Sequence, residues 1–302
     1  MPLNSVNTNT GAQIALESLN VTTTQLNATE KQISTGYRVA DATDDGAAFA
    51  VAQRVRSDVG ALTSVNSQLG NAQGLLSTTT SSLTTISDTV NTAKGLLVDI
   101  ADQSITQSQR DQYVASYKAL VQQVANTVDG SSYNGQTLLG KASGAVAGTG
   151  LSIITSETGA TSQLSAEDAS TLATTLASLI GASFSRSAAG VDTWTAAAAG
   201  ADQTAASTAL TATTGATAFA TLQTGVSNLL NQSGADSNFL SATITFNSNK
   251  IDSLNSGLGS LVDADLSQES AQLQSLQIRQ QLGTQALSLA NQAPQTLLSL
   301  FK

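Results

Sequence analysis

Three aspartates within five positions, Asp41, Asp44 and Asp45, stand in a short segment, Thr35 to Gly46 (TGYRVADATDDG), that also holds two glycines. Carboxylates there suit one role, the capping of a helix. Asp44 or Asp45 can accept free backbone N–H groups at the start of a following helix and complement its dipole. Other chemistry needs partners that the chain lacks. With no cysteine and no histidine among 302 residues, a disulfide, a Cys/His zinc site and a Ser-His-Asp triad are all out of reach. Ser-Lys and carboxylate-pair mechanisms remain formally open, but the lysines and aspartates are scattered with no motif around them. The expectation is a structural protein: no enzyme, no cofactor, no metal.

The elements around that segment are helices. From Asn9 to Ile33 the chain has no proline, and Leu19, Leu26 and Ile33 fall on a seven-residue step, the mark of a helix with one narrow apolar stripe. Gly36 is placed to end it in a left-handed cap. After the aspartate loop, Val55, Leu62, Leu69, Leu76, Leu83, Val90 and Leu97 hold one unbroken seven-residue step. Val65, Ala72, Ile86, Ala93 and Ile100 lie three residues behind members of that series, with Asp58 and Thr79 as exceptions. A repeat kept over about 45 residues predicts a helix of roughly 70 Å packed lengthwise on others. A further helix is expected from Ser108 to Val128, its face formed by Tyr113, Tyr117, Leu120, Val121, Val124 and Val128. Asn134-Gly135 then signals a hairpin between Tyr133 and the Leu138-Leu139 pair.

Between 141 and 218 the texture turns to Ala, Thr, Ser and Gly. Ser165 and Asp168 suggest a capping box ahead of a helix through Leu172, Leu176 and Leu179 that ends at Gly181. The tract around Trp194 shows no firm period. We read this segment as a small inserted, surface-facing domain. Seam spacing resumes with Leu240, Ile244, Ile251, Leu254, Leu258 and Leu261, and a last helix carries Leu273, Leu276, Leu282, Ala286, Leu289 and Ala293, interrupted at Pro294 before the apolar end with Leu297 and Leu300. Packing N-terminal seams against C-terminal ones is the simplest way to bury them, and several helices with similar seams favour this over a coiled-coil dimer. The fold class expected is mainly α: a heptad-patterned rod built by both ends of the chain, with a β-hairpin and the small insert.

Charged residues make up only 11% of the chain, well under the usual level of about 25%. Such a surface suits close contact between subunits. A net charge of −9 offers no positive field for phosphates, so neither nucleic acid nor an anionic membrane is expected as a partner. No apolar run approaches the roughly 18 residues of a membrane span, and the first twenty residues lack the basic start, apolar core and cleavage site of a secretory signal. Asn20-Val21-Thr22, Asn27-Ala28-Thr29 and Asn231-Gln232-Ser233 fit the N-glycosylation pattern only as chance matches in a chain rich in Asn and Thr.

Both ends resemble bacterial flagellin. ISTGYRVADATDDGAAFAVAQRVRSDVGAL (Ile33 to Leu62) is similar to the family's loop and long-helix start, matching at Gly36, Arg38, Asp44 and Asp45; LVDADLSQESAQLQSLQIRQQLGTQALSLANQAPQTLLSLF (Leu261 to Phe301) is similar to its C-terminal end. The likeness covers residues 1–140 and 220–302. It departs from the family at Ala40 to Asp45 and at Asn91 to Leu96. The resemblance implies an exported subunit that self-assembles into the extracellular flagellar filament. Inner-tube helices at 1–40 and 265–302, disordered in the monomer, would flank rod halves at 41–140 and 219–264 and a variable domain at 141–218. It implies export by the flagellar type III route without a cleaved signal, and as partners an export chaperone, the filament cap, the hook–filament junction proteins and further copies of the chain. In the family, a mammalian Toll-like receptor engages an Arg, a Leu and a Glu; counting without gaps from Asn134-Gly135 puts Thr92, Leu96 and Ser116 there, which implies weak or no recognition. The alternatives are a hook–filament junction protein and a secreted adhesin or host-binding protein working through residues 141–218.

Overall fold

The computed structural model describes residues 8–215 and 217–300, with side chains to residue 292. Among these, seven helices and four strands follow one another: α1 (Thr10–Thr35), α2 (Gly46–Ala101), α3 (Gln107–Gly130), β1 (Leu151–Ile154), β2 (Thr161–Leu164), α4 (Leu172–Ser178), β3 (Ser183–Arg186), β4 (Asp192–Thr195), α5 (Ala201–Thr211), α6 (Phe219–Val262) and α7 (Leu266–Leu300). They divide into two units, Met1–Gly60 with Ile251–Lys302, and Ala61–Lys250.

The long seven-residue series does what its period requires. Leu62, Leu69, Leu76, Leu83, Val90 and Leu97 are buried, as are Val65, Ala72, Ile86, Ala93 and Ile100, while Val55 is half-buried. Thr79 breaks the apolar pattern without cost in hydrogen bonding, since its buried hydroxyl donates to the Leu75 carbonyl at 3.0 Å. Helix α3 starts at Thr106, which with Gln109 forms a capping box. The turn before it is held by buried Arg110, whose guanidinium donates to the carbonyls of Ile100 at 3.0 Å and Asp102 at 2.7 Å. Tyr117, fully buried, donates to the Leu176 carbonyl at 2.9 Å, and burial pushes its pKa far up.

Sequence expectation and structure differ in several places. Asn134-Gly135 does form a two-residue turn, with φ of 51° and 79° and two bonds joining Tyr133 to Gln136, but it carries only an isolated bridge. The strands lie further on, as two antiparallel hairpins, β1 with β2 and β3 with β4. The Ser165–Asp168 capping box does not form: Ser165 N–H donates to Asp236 on α6, Asp168 accepts from Ser170, and α4 begins after Thr171 with no side-chain cap. Helix α4 ends at Ser178, three residues short of Gly181. Helix α7 continues past Pro294 to Leu300. The segment read as an insert shares its core with the helices, since Ala169, Leu176, Phe184 and Ala206 pack in one cluster with Leu83, Val90, Tyr117 and Val124.

Along α6, Leu240 is buried and Ile244 half-buried against α2. The two helices run antiparallel across a polar ladder: Asn66 to Ser248 at 3.4 Å, Gln73 to Ser241 at 3.4 Å, and Thr80 to Ser233 at 2.6 Å. The α2 members recur every seven residues, a periodicity hidden when only apolar residues are tracked.

Candidate self-assembly surface

The unit formed by the two ends of the chain begins with a cap. Asn9 accepts from Ala12 N–H at 3.0 Å to start α1, and Gly36, at φ 74°, ends it by donating to the Gln32 carbonyl at 2.8 Å. Inward positions of α1 follow steps of three and four: Leu19 half-buried, Thr22 and Leu26 buried, Thr29 buried, Ile33 half-buried. The facing stripe of α7 holds Leu276, buried, with Leu273, Gly283, Leu287 and Ala290 half-buried. Asn9 donates to the Ala290 carbonyl at 2.8 Å, and Tyr37 bridges Asp263. Early α1 therefore meets late α7, and the helices are antiparallel. A Cβ at Gly283 would stand 3.2 Å from a Leu19 methyl, so glycine permits the close approach there.

The aspartate loop locks the other end of this pair. Asp45 takes the capping role, accepting from Ala47 and Ala48 N–H at 3.0 Å each. Asp44 turns back instead, accepting from Ala40 and Asp41 N–H and from Lys31. Lys31 also binds Asp41 at 2.6 Å. Those bonds raise the Lys31 pKa and hold both carboxyls below their ordinary range, chiefly through the lysine hydrogen bond. These groups are exposed, so they fix geometry and contribute little stability. Arg38 and Val39 donate their N–H groups to the Val262 carbonyl at 2.7 and 3.2 Å, and the Arg38 guanidinium reaches the Leu261 carbonyl. Val39, Ala52 and Val262 form a small core below, with Leu258 half-buried beside it.

The remaining residues expected in the rod seam (Ile251, Leu254, Leu258, Leu261) and in self-assembly through the inner tube (Leu282, Leu289, Leu297, Leu300) sit as follows. Ile251, Leu254 and Leu258 are half-buried, and Leu261 is exposed because its neighbour Val262 takes the inward position. Leu282 and Leu289 are 59% and 70% exposed, on the opposite side of α7 from Leu276. Leu297 and Leu300 lie outside the residues whose side chains are described. With Ile278 on α7 and Ile14 and Val21 on α1, Leu282 and Leu289 are aliphatic side chains turned out from the α1–α7 seam, while Leu16, two residues from Ile14, is exposed on another side of α1. Ile14, Val21, Leu282 and Ala286 line an open groove of about 640 Å³, with Glu17 and Arg279 on its rim. Among the described residues no helix is long and apolar enough to cross a membrane, and no group of three or more acidic side chains could hold a metal ion.

Terminal helices paired over a narrow seam, with large aliphatic side chains left exposed, define a mainly α-helical protein; exposed apolar patches on proteins in general mark sites of association. Comparison with known proteins narrows the class. Residues 6–143 match the bacterial flagellin N-terminal helical region and residues 216–301 the bacterial flagellin C-terminal helical region. The chain is 32% identical over 302 residues to flagellin FljM of Caulobacter vibrioides, covering 100% of both chains. It is 32% identical over 304 residues to a flagellin of Brucella melitensis, covering 99% of each, and 28% identical over 326 residues to flagellin C of Rhizobium meliloti, covering 99% of this chain and 100% of that one. The chain belongs to the bacterial flagellin family, structural proteins that polymerise into the flagellar filament.

Proposed function

We propose that this filament subunit assembles by burying the outward face of α1 and α7 against neighbouring copies, so that residues 1–40 and 265–302 line an inner tube. The observation that carries the reading is the exposure of Ile14, Val21, Leu282 and Leu289 on helices whose inward seam is already satisfied. Each such side chain contributes about 1.5–3 kcal/mol when fully buried, and a face repeated in every copy adds that gain along a polymer. Export would follow the flagellar type III route to the cell exterior, without a cleaved signal. The export chaperone, filament cap and hook–filament junction proteins are the further partners, each engaging the same terminal helices or their polymer. Residues 41–140 and 219–264 act as the rod halves and residues 141–218 as the variable part. The chain acts through assembly and not as an enzyme.

Electron microscopy of purified protein, seeded with short filament fragments, tests this. Wild type is expected to extend the seeds into long tubes. Leu282→Glu, which places a charge on the outward face, is expected to stay monomeric with an unchanged circular dichroism spectrum. Normal tubes from the variant would remove this face from the assembly contact.

Weak Toll-like receptor recognition is the second expectation. Thr92 is exposed on α2 with its hydroxyl bound to the Asp88 carbonyl, Ser116 is exposed on α3, and Leu96 packs partly on the core. Lys94, the nearest cation to Thr92 in sequence, lies 5.6 Å over the Phe219 ring and is turned to that contact. A receptor seeking an Arg and a Glu meets two short hydroxyls. Loss of one charged anchor costs about 2 kcal/mol, roughly thirtyfold in affinity. In a reporter-cell assay, monomer should signal weakly and the Thr92→Arg, Ser116→Glu variant more strongly. Strong signalling by the unmodified protein would refute the assignment.

A further inference from the structure

Helix α6 carries two stripes. One, through Leu240 and Asn247, is buried. The other is offset by one residue and runs through Ala235, Phe239, Ala242 and Phe246, all exposed, with Phe246 at 65%. Alternating small and aromatic residues at steps of four and three make a row of knobs separated by gaps, the arrangement of a packing seam without its partner. In the same Ala61–Lys250 unit, a cavity of about 220 Å³ opens beneath the Asn134-Gly135 turn. Leu75 and Ile153 form its buried floor, and the amides of Gln68, Asn71 and Gln136 line its rim. The Tyr133 ring walls one side and lies over Gly74, where a Cβ would come within 2.9 Å of it.

We propose that Phe246 of one copy seats in this cavity of the next, making knob and socket a subunit contact of the filament; the inference rests on the assembly reading above. The two surfaces match in size and charge. A cavity of about 150 Å³ holds a benzene ring, so this one accommodates a phenylalanine side chain. Between residues 219 and 249 only Asp236 is charged, and the rim named above is made of neutral amides, so no like-charge barrier opposes contact. Knob and socket are different patches of one chain, and such heterologous contacts extend into helical polymers unless the rotation happens to close. The contact is also small. One exposed aromatic row and one cavity together bury a few hundred Å², far below the roughly 1,200 Å² of a stable pair. Monomers therefore stay apart, and the contact counts only where each copy is held by several neighbours.

The absence of native cysteine allows a direct test. Asn71→Cys and Phe246→Cys monomers are mixed, assembled on seeds, oxidised and separated without reductant. Mixed disulfide dimers are expected from filaments and not from unassembled protein, at least about tenfold above those from a Ser77→Cys, Phe246→Cys mixture. In parallel, Phe246→Ala should raise the protein concentration needed for assembly about tenfold while leaving the monomer's melting temperature unchanged. Filaments whose only dimers join two Phe246→Cys chains would overturn the proposal by placing the row against itself. Filaments with no mixed dimer and a normal Phe246→Ala threshold would overturn it by leaving the row to another partner, such as the chaperone or cap. Wild-type protein that built no filaments would instead sink the assembly reading on which the proposal stands.

Discussion

Leu76→Pro is expected to abolish cooperative unfolding of the Ala61–Lys250 unit, leaving the Trp194 emission of the variant already at its denatured position before denaturant is added. Leu76 is buried in mid-helix, thirty residues from the start of α2 and twenty-five from its end. Proline removes one helix hydrogen bond and presses on the preceding turn, at about 3 kcal/mol or more. It also trims a side chain packed in the cluster with Leu69, Leu75 and Leu240, where truncating a leucine costs about 2–5 kcal/mol. The combined loss is comparable with the roughly 5–15 kcal/mol that holds a whole domain. Ser77→Ala, one position along on the exposed face, should change stability by no more than about 0.5 kcal/mol. Trp194 is the chain's single tryptophan and lies in this unit, so its fluorescence reports the transition. A wild-type urea curve from the proline variant would contradict the role given to the seam.

What the sequence made legible follows from how strongly each feature repeats. The α2 seam was readable because two exceptions, Asp58 and Thr79, among so many positions cannot hide a seven-residue period. The Gly36 cap and the aspartate cap were readable because left-handed backbone and free N–H groups each demand particular residue types. On α7 the large leucines fall on two sides, Leu276 buried and Leu282 and Leu289 exposed. Gly283 and Ala290 face inward because α1 comes close there, while Leu282 and Leu289 are left outside, and size alone cannot say whether a leucine faces its own chain or the next copy. Residues 141–218 were harder still. Strands of four residues and helices of seven and eleven hold too few positions to show a period. The contact of Arg186 with Asp129 at 3.1 Å joins residues far apart in the chain, with no local signature, while Arg186 and Asp192 meet across the β3–β4 hairpin. Trp194 and Phe184, with ring centroids 6.3 Å apart, pair across β3 and β4 in the same way.

Glu167 makes the second large effect one of pH. Its backbone N–H is bonded to the Leu138 carbonyl, which holds it against the core, and the residue is 0% exposed. Neither carboxyl oxygen has a hydrogen-bond partner. Burial raises its pKa from 4.5 to about 7; the negative charge of Asp236 adds to the rise, and Ser233 counters weakly without completing a hydrogen bond. The Ser233 hydroxyl is already engaged with Thr80 at 2.6 Å, and Asp236 accepts from Ser165 and Gln232, so neither is free to compensate the charge. Because the folded pKa lies above the unfolded value, the folded state holds the proton more tightly. Stability linked to Glu167 is therefore complete below about pH 4.5 and is lost as pH rises toward 7. A shift from 4.5 to about 7 corresponds to a loss of about 3 kcal/mol. Glu167→Gln keeps the shape and cannot ionise. Relative to wild type it should gain about 2–3 kcal/mol at pH 8 and almost nothing at pH 4.5, read as the difference between urea transitions followed through Trp194. Taking that difference cancels the opposite dependence of Asp129 and Asp192, whose lowered pKa values lose stability only as pH falls into the acid range. A difference between variant and wild type that stayed constant from pH 4.5 to 8 would show that Glu167 does not change its charge over that span in the folded chain.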